Sequence, residues 1–303
     1  MIRILFMGTP EYATEILKAL VDAEDIEVVG VYTQPDKPVG RKAVLTPPSV
    51  KVFALEKNIP VYQPNRLRDE DVVSHVLSIP CDLIVVAAYG QILPKAILEY
   101  VPCINLHASI LPQYRGASPI QQSLLNNDRQ SGVTAMWMDE GLDTGGIIKI
   151  STLDIAPDEM LESLYERLTK LACTLTLDVV RTWDKTSSVA QEDALSTHCS
   201  KITKAHGLIH FDNALNIFNR YRAFTPWPGL YLESGLKLKV LALEESESSG
   251  NAGTIIKVDE DSVVVQCIKG SLRLYTLQAP SKSETSAVAY LNGKRLGCGN
   301  TLA

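Results

Sequence analysis

Ile2-Arg3-Ile4-Leu5-Phe6-Met7, then Gly8-Thr9-Pro10, then Ala13, Ile16, Leu17 and Leu20, then Ile26-Glu27-Val28-Val29-Gly30-Val31-Tyr32-Thr33: this stretch decides the fold class. The first run is apolar and the last is rich in valine, as in strands buried within a sheet. Between them apolar side chains recur at i, i+3, i+4 and i+7, the stripe of one helix face. Strand, helix and strand in succession predict a βαβ unit with a right-handed crossover, hence a parallel sheet. Gly8-Thr9-Pro10 lacks the GxGxxG pattern of a dinucleotide site, so it reads as a tight strand-to-helix turn.

Outward from that unit the alternation continues. Leu83 to Ala88, Ile104 to His107 and Val133 to Met138 read as further strands, with helical patterns after Pro119 and from Asp158 to Trp183. Residues 1–183 are therefore expected to be one α/β domain, Rossmann-like, with a mainly parallel sheet. Asp184 to Ser200 turns polar and loses its periodicity, which predicts a linker over 184–207. Residues 208–303 change character. A short amphipathic helix, Asn213 to Phe224, leads to the alternating runs Leu236 to Leu243, Thr254 to Val258, Val263 to Ile268 and Leu272 to Leu277. Asp259-Glu260-Asp261-Ser262 and Lys269-Gly270-Ser271 supply turn chemistry between them, so a small antiparallel barrel is expected.

Composition permits this division: 303 residues with 46% hydrophobic side chains can fill two ordinary cores. The net charge of -6 is uneven. Residues 201–303 carry 12 Lys and Arg against 9 Asp and Glu, a net of +3, while residues 1–200 carry a net of -9. An acidic total argues against nonspecific coating of DNA but allows a local phosphate-binding face in the C-terminal third. The six cysteines, at 81, 103, 173, 199, 267 and 298, form no CxxC pair, so neither a zinc site nor a disulfide framework is expected. They read as reduced thiols of a cytoplasmic protein. The chain opens on a strand-like run, and no apolar stretch approaches the roughly 18 residues that span a bilayer, so neither a targeting segment nor a membrane anchor is expected.

The chemistry is concentrated in two stretches, Asn105-Leu106-His107-Ala108-Ser109-Ile110-Leu111-Pro112-Gln113-Tyr114-Arg115-Gly116 and Met138-Asp139-Glu140-Gly141-Leu142-Asp143-Thr144-Gly145. An Asn-x-His pair presents both side chains on one face of a strand. The pair is followed directly by a Pro/Arg/Gly-rich loop, and an acidic glycine turn ends another apolar run. Such a set can perform acyl transfer without a nucleophile of its own. His107 can move a proton, Asn105 can hydrogen-bond a carbonyl oxygen that gains charge, and Asp143 can orient and charge-stabilise the imidazole. No metal is required for that chemistry. Thr33 to Lys51 stands apart, placing Lys37, Arg41 and Lys42 among Pro35, Pro38, Gly40, Pro47 and Pro48. It reads as a mobile basic loop.

Asn-x-His-x-Ser-x-Leu-Pro-x-x-Arg-Gly-x-x-Pro over 105–119, with Asp143 in Gly-Leu-Asp-Thr-Gly, resembles the signature of the formyltransferases that use 10-formyltetrahydrofolate. Thr33-Gln34-Pro35-Asp36-Lys37-Pro38-Val39-Gly40-Arg41 and Arg222-Ala223-Phe224-Thr225-Pro226-Trp227-Pro228-Gly229 extend the likeness, which runs from end to end of the tRNA-modifying branch. The resemblance implies that the C-terminal barrel is OB-like and binds tRNA. It implies transfer of a formyl group to the free amino group of methionyl initiator tRNA in translation initiation, with Asn105, His107 and Asp143 catalytic. Ala88 to Pro94, including Gln91, Ile92 and Leu93, and Met138 to Thr144, including Glu140, are similar to segments that flank the folate pocket. Ser109, Ile110, Leu111 and Pro112 resemble the loop closing over the formyl end. The implied partners of Lys37, Arg41 and Lys42 are the phosphates or bases of the acceptor arm. The expected partners are then the folate cosubstrate and initiator methionyl-tRNA, without DNA or membrane, and the expected state is a monomer. The chain departs from the family pattern at Ile110, at Gly146, at His210-Phe211 and in Arg41-Lys42-Ala43-Val44. Two other readings stay open: a folate-dependent amino-sugar formyltransferase, and a folate- or RNA-binding module without activity.

Overall fold

Strand β1, Ile2–Gly8, pairs in parallel with β2, Ile26–Tyr32, and the helix between them is α1, Glu11–Val21. The computed structural model describes residues 1–40 and 42–302, those at 245–248 through their backbone alone. Ile16, Leu17 and Leu20 of α1 are wholly buried, each worth roughly 1.5–3 kcal/mol of transfer free energy. The turn after β1 is tight: a Cβ on Gly8 would meet Ala13 Cβ at 2.6 Å and the Ala87 carbonyl at 2.9 Å. The chain continues through β3, Lys37–Val39, β4, Val44–Thr46, α2, Ser49–Glu56, β5, Val61–Tyr62, and α3, Glu70–Ser78. There follow β6, Leu83–Ala87, α4, Lys95–Leu98, β7, Cys103–His107, β8, Arg115–Gly116, and α5, Pro119–Leu125. Strands β9, Gln130–Trp137, and β10, Ile147–Asp154, precede the long helix α6, Leu161–Thr182, and the short strand β11, His198–Cys199.

Seven of these strands form one sheet in the order β10-β9-β7-β6-β1-β2-β5. From β7 to β5 the pairing is parallel, while β9 runs antiparallel to both β7 and β10. The mainly parallel Rossmann-like sheet expected from the alternation is therefore present, with an antiparallel edge. Strands β6 and β7 are buried at every position; this explains the unbroken apolar run of β6, whereas β7 buries the polar Asn105 and His107 among apolar neighbours. Leu5, Met7, Ile84, Val86 and Cys103 build one core with Leu93, Ile97 and Val76.

The second group of elements is α7, Ala214–Phe224, β12, Leu230–Tyr231, β13, Lys237–Ser249, β14, Ile255–Val258, β15, Val263–Gln266, β16, Lys269–Gln278, β17, Thr285–Ser286, and α8, Ala287–Lys294. Its sheet runs β12-β13-β16-β15-β14, antiparallel throughout, with β17 on β16. This is compatible with the OB-like expectation, although no described pairing closes the sheet into a ring. Two compact units divide the chain: residues 1–119, 130–154 and 165–199 form one, and residues 120–129, 155–164 and 200–303 the other. Within the second unit Arg222 is buried and donates to the Asn127 and Asn219 side chains at 2.8 Å each. The segments 120–129 and 155–164 thus belong with the C-terminal residues in packing, which no local pattern reveals.

Two segments differ from the sequence reading. Thr33 to Lys51, expected as a mobile loop without a helix, contains the hairpin β3–β4, with Val39 opposite Val44, and ends in the first turn of α2. The hairpin needs only three pairs and leaves Val39, Val44 and Leu45 exposed, so no buried face marks its strands. Residues 184–199, expected as linker, are fixed to the first unit: Ile147 and Val189 bridge, and β11 pairs in parallel with β8. Short polar strands lack the alternation by which strands are recognised.

Candidate active site

Asn105 and His107 stand two residues apart in β7 and share a face of the sheet. Both are nearly closed to solvent, at 9% and 6% exposure. Asp143 reaches them by a route the strand pattern does not show. Trp137, at the end of β9, is registered with Ile104 near the start of β7, so the loop after β9 must double back along β7. Asn105 Nδ2 donates to Asp143 Oδ1 at 3.2 Å, and the Gly116 amide donates to Oδ2 at 2.8 Å. His107 Nδ1 lies 3.7 Å from Oδ2. Asn105 and His107 thus both face the half-buried Asp143 carboxylate, which brings together the three residues singled out from the sequence.

The imidazole, which the sequence reading has Asp143 orient, makes its direct hydrogen bond to a backbone carbonyl instead. His107 Nε2 is 2.9 Å from the Tyr114 carbonyl. A carbonyl only accepts, so Nε2 carries the proton and donates. Nδ1 is then the basic nitrogen, facing the carboxylate at a distance too long for a direct hydrogen bond. That arrangement can receive a proton at Nδ1 and stabilise the resulting imidazolium beside Asp143.

The loop after β7 is clamped rather than loose. Ser109 Oγ donates to the Gln113 carbonyl at 2.6 Å, Thr134 Oγ1 donates to the Ser109 carbonyl at 2.6 Å, and the Leu111 amide donates to Thr134 Oγ1 at 3.1 Å. Leu111 is buried, while Ile110 and Pro112 are half-buried. Cys199 is close by: its Sγ donates to the Tyr114 carbonyl at 3.3 Å, and burial pushes its thiol pKa up, which suits packing rather than nucleophilic attack.

Other residues of the sequence-derived set fall in varied places. Gln91 accepts from the Leu67 amide at 2.7 Å and donates to the Pro64 carbonyl at 3.3 Å, bracing residues 64–67. Leu93 is part of the sheet's core. Ile92, by contrast, is 81% exposed, and Leu142 is 61% exposed, so each of the two loops presents a free apolar side chain. Glu140 is exposed and pairs with Lys95 at 3.2 Å, which raises the Lys95 pKa. Lys37 and Lys42 are exposed on or beside the β3–β4 hairpin, and Arg41 lies outside the described residues. Arg115, Gly116 and Gln191 were not singled out as site residues. Arg115 and Gly116 stand in the loop that follows the Asn-x-His pair, but Gln191 sits in a polar tract with no local signal.

An amide, an imidazole and a carboxylate brought together at the end of a parallel strand form a set that can support acyl transfer. The chain matches the formyl transferase family over residues 2–180 and the formyl transferase C-terminal domain over residues 201–295. The methionyl-tRNA formyltransferase of Sulfurimonas denitrificans is 58% identical over 99% of this chain and 100% of that protein. That of a Nitratiruptor species is 53% identical over 99% of both chains. Among solved structures, a sugar 3N-formyl transferase crystallised with dTDP and 5-N-formyl-THF has a TM-score of 0.68 at 22% identity, covering 93% of this chain and 99% of that one. At that identity it shows the fold alone. The chain belongs to the formyl transferase family and, within it, to the methionyl-tRNA formyltransferases.

Proposed function

We propose that this protein transfers the formyl group of 10-formyltetrahydrofolate to the free amino group of methionyl initiator tRNA. The observation that carries the reading is the convergence of Asn105, His107 and Gly116 on Asp143 within a chain similar over its whole length to methionyl-tRNA formyltransferases. The residues fit a formyl donor. One Asn105 N–H is given to Asp143, and the amide's second N–H remains for a carbonyl oxygen. Ile92 and Leu142 offer exposed apolar surface to a flat ring. The cosubstrate supplies the formyl carbon and departs as the amine.

The side chains divide the remaining work. Asn105 donates to the formyl oxygen as it gains charge, an effect worth roughly 3–4 kcal/mol when such a donor is removed. His107 Nδ1 takes the proton released by the attacking amino group and returns it to the departing nitrogen, a role worth roughly 10² to 10⁴ in rate. Asp143 stabilises the charge that the imidazole holds between those steps. Lys37, Arg41 and Lys42 contact the acceptor arm, and the net positive C-terminal region contacts phosphates. The division of the chain into a catalytic part up to 183, a connection over 184–207 and a tRNA-binding part from 208 belongs to the same proposal. So do a monomeric state, a cytoplasmic site of action, and the lack of DNA or membrane partners.

The test is a formyl-transfer assay with 10-formyltetrahydrofolate and three acceptors: charged initiator tRNA, charged elongator methionine tRNA and an amino-sugar nucleotide. Preference for the initiator tRNA is the expected result. Preference for the sugar would move the chain to the amino-sugar enzymes, and no transfer to any acceptor would leave a binding module.

A further inference from the structure

Asp143 adopts φ +54°, a left-handed backbone that non-glycine residues rarely take, so its carboxylate is placed by an uncommon turn. Gln191 holds that turn from outside. Its Nε2 donates to the Asp143 carbonyl and to the Gly145 carbonyl, both at 2.8 Å. Its Oε1 accepts from Arg115 Nε at 3.1 Å and from Arg115 Nη2 at 2.9 Å. Arginine only donates, so the amide orientation is fixed by its partners, and all four hydrogen-bonding positions of the Gln191 side chain are used. Arg115 is 4% exposed, and its Nη2 also donates to Asp193 Oδ1 at 2.8 Å.

The same short segment touches the other half of the site. The Tyr114 carbonyl fixes His107 Nε2, and the Gly116 amide fixes Asp143 Oδ2. Arg115 lies between them in sequence, so its guanidinium and the Gln191 amide tie residues 114–116 to residues 143–145. We infer that Gln191, anchored by Arg115, is a positioning residue for formyl transfer: it keeps the Asp143 carboxylate registered with Asn105 and His107. It touches none of the reacting atoms. The inference rests on the assignment of Asp143 to the active site made above.

Initial-rate kinetics on the full chain with 10-formyltetrahydrofolate and charged initiator tRNA test this. Gln191→Glu keeps the acceptor for Arg115 but puts a carboxylate oxygen against two carbonyls, while Gln191→Met keeps only the volume. Both should lower kcat about tenfold to a hundredfold, the cost of a displacement near 1 Å at a reacting group, with KM for the folate within about twofold. Thermal denaturation checks folding. If Gln191→Met does not fold, Gln191→Glu alone decides the matter, since it leaves the buried guanidinium paired. Because Gln191 acts through Asp143, the Asp143→Ala, Gln191→Glu double variant should be no slower than Asp143→Ala. Wild-type kcat in Gln191→Glu, or a double variant that loses the full product of the single losses, would overturn the inference. Near-wild-type turnover in Asp143→Ala would overturn the site assignment and the inference together. A slow Asp143→Ala beside a fast Gln191→Glu would remove only the inference.

Discussion

Gly116→Ala offers a direct probe of how tightly the catalytic carboxylate is held. Gly116 has φ +119°, and a Cβ built on it would stand 2.3 Å from the Cys199 carbonyl oxygen, where such carbons stay beyond 3.0 Å. The obstacle is backbone of the neighbouring strand β11, so no side chain can swing aside, and β8 must shift by about 0.7 Å. That shift moves the amide that donates to Asp143 Oδ2 at 2.8 Å and leaves the hydrogen bond stretched. The strained backbone and the overpacking should together cost about 1–3 kcal/mol of stability. Turnover should fall further than that implies for a distant site, roughly tenfold to a hundredfold, because a misplacement near 1 Å at a reacting group costs about 10². Urea unfolding gives the first quantity and single-turnover formyl transfer the second. A Gly116→Ala protein that turns over at the wild-type rate would refute the claim that this amide positions Asp143.

The remaining predictions concern the proton-transfer set, the loop and the second sheet. His107→Ala, Asn105→Ala and Asp143→Ala should each lower kcat by roughly 10² or more with little change in unfolding midpoint, and a double variant should lose much less than the product, as measured by steady-state rates. Arg41→Leu should raise the apparent KM for charged tRNA and leave that for folate unchanged, with Arg41→Lys recovering only part of the loss; unchanged tRNA kinetics would make the residue ordinary surface. Arg273 on β16 donates to Glu244 on the neighbouring strand β13 and to Asp259 in the turn after β14, and these bonds hold both carboxyl groups below their ordinary values of 4.5 and 3.8. Depressed carboxylates stabilise the fold at neutral pH and lose that contribution as pH falls through their folded-state values. The stability deficit of Arg273→Met at about pH 7 should therefore shrink by about pH 2, and a deficit independent of pH would contradict the ion-pair account.

Local chemistry was enough for much of this protein. The apolar run Leu83 to Ala87 is a strand because burial at every position leaves no alternation to misread, and the four-residue stripe of α1 has one apolar face to bury. Asn105 and His107 were legible as a pair because spacing by two places both on one side of any strand. What lies opposite them was not. Asp143 sits in a left-handed turn on a loop that doubles back along β7, and only the antiparallel register of β9 makes that path possible. The partner of His107 Nε2 is a backbone carbonyl, a group every residue possesses, so composition could not name Tyr114. Gln191 lies 48 residues from Asp143 in a polar tract without period, and it joins the site because Val189 bridges Ile147 on the edge of the first sheet and β11 pairs with β8. Periodicity records which face of an element is buried; the meeting of distant polar groups depends on register and loop path, which are properties of the assembled fold.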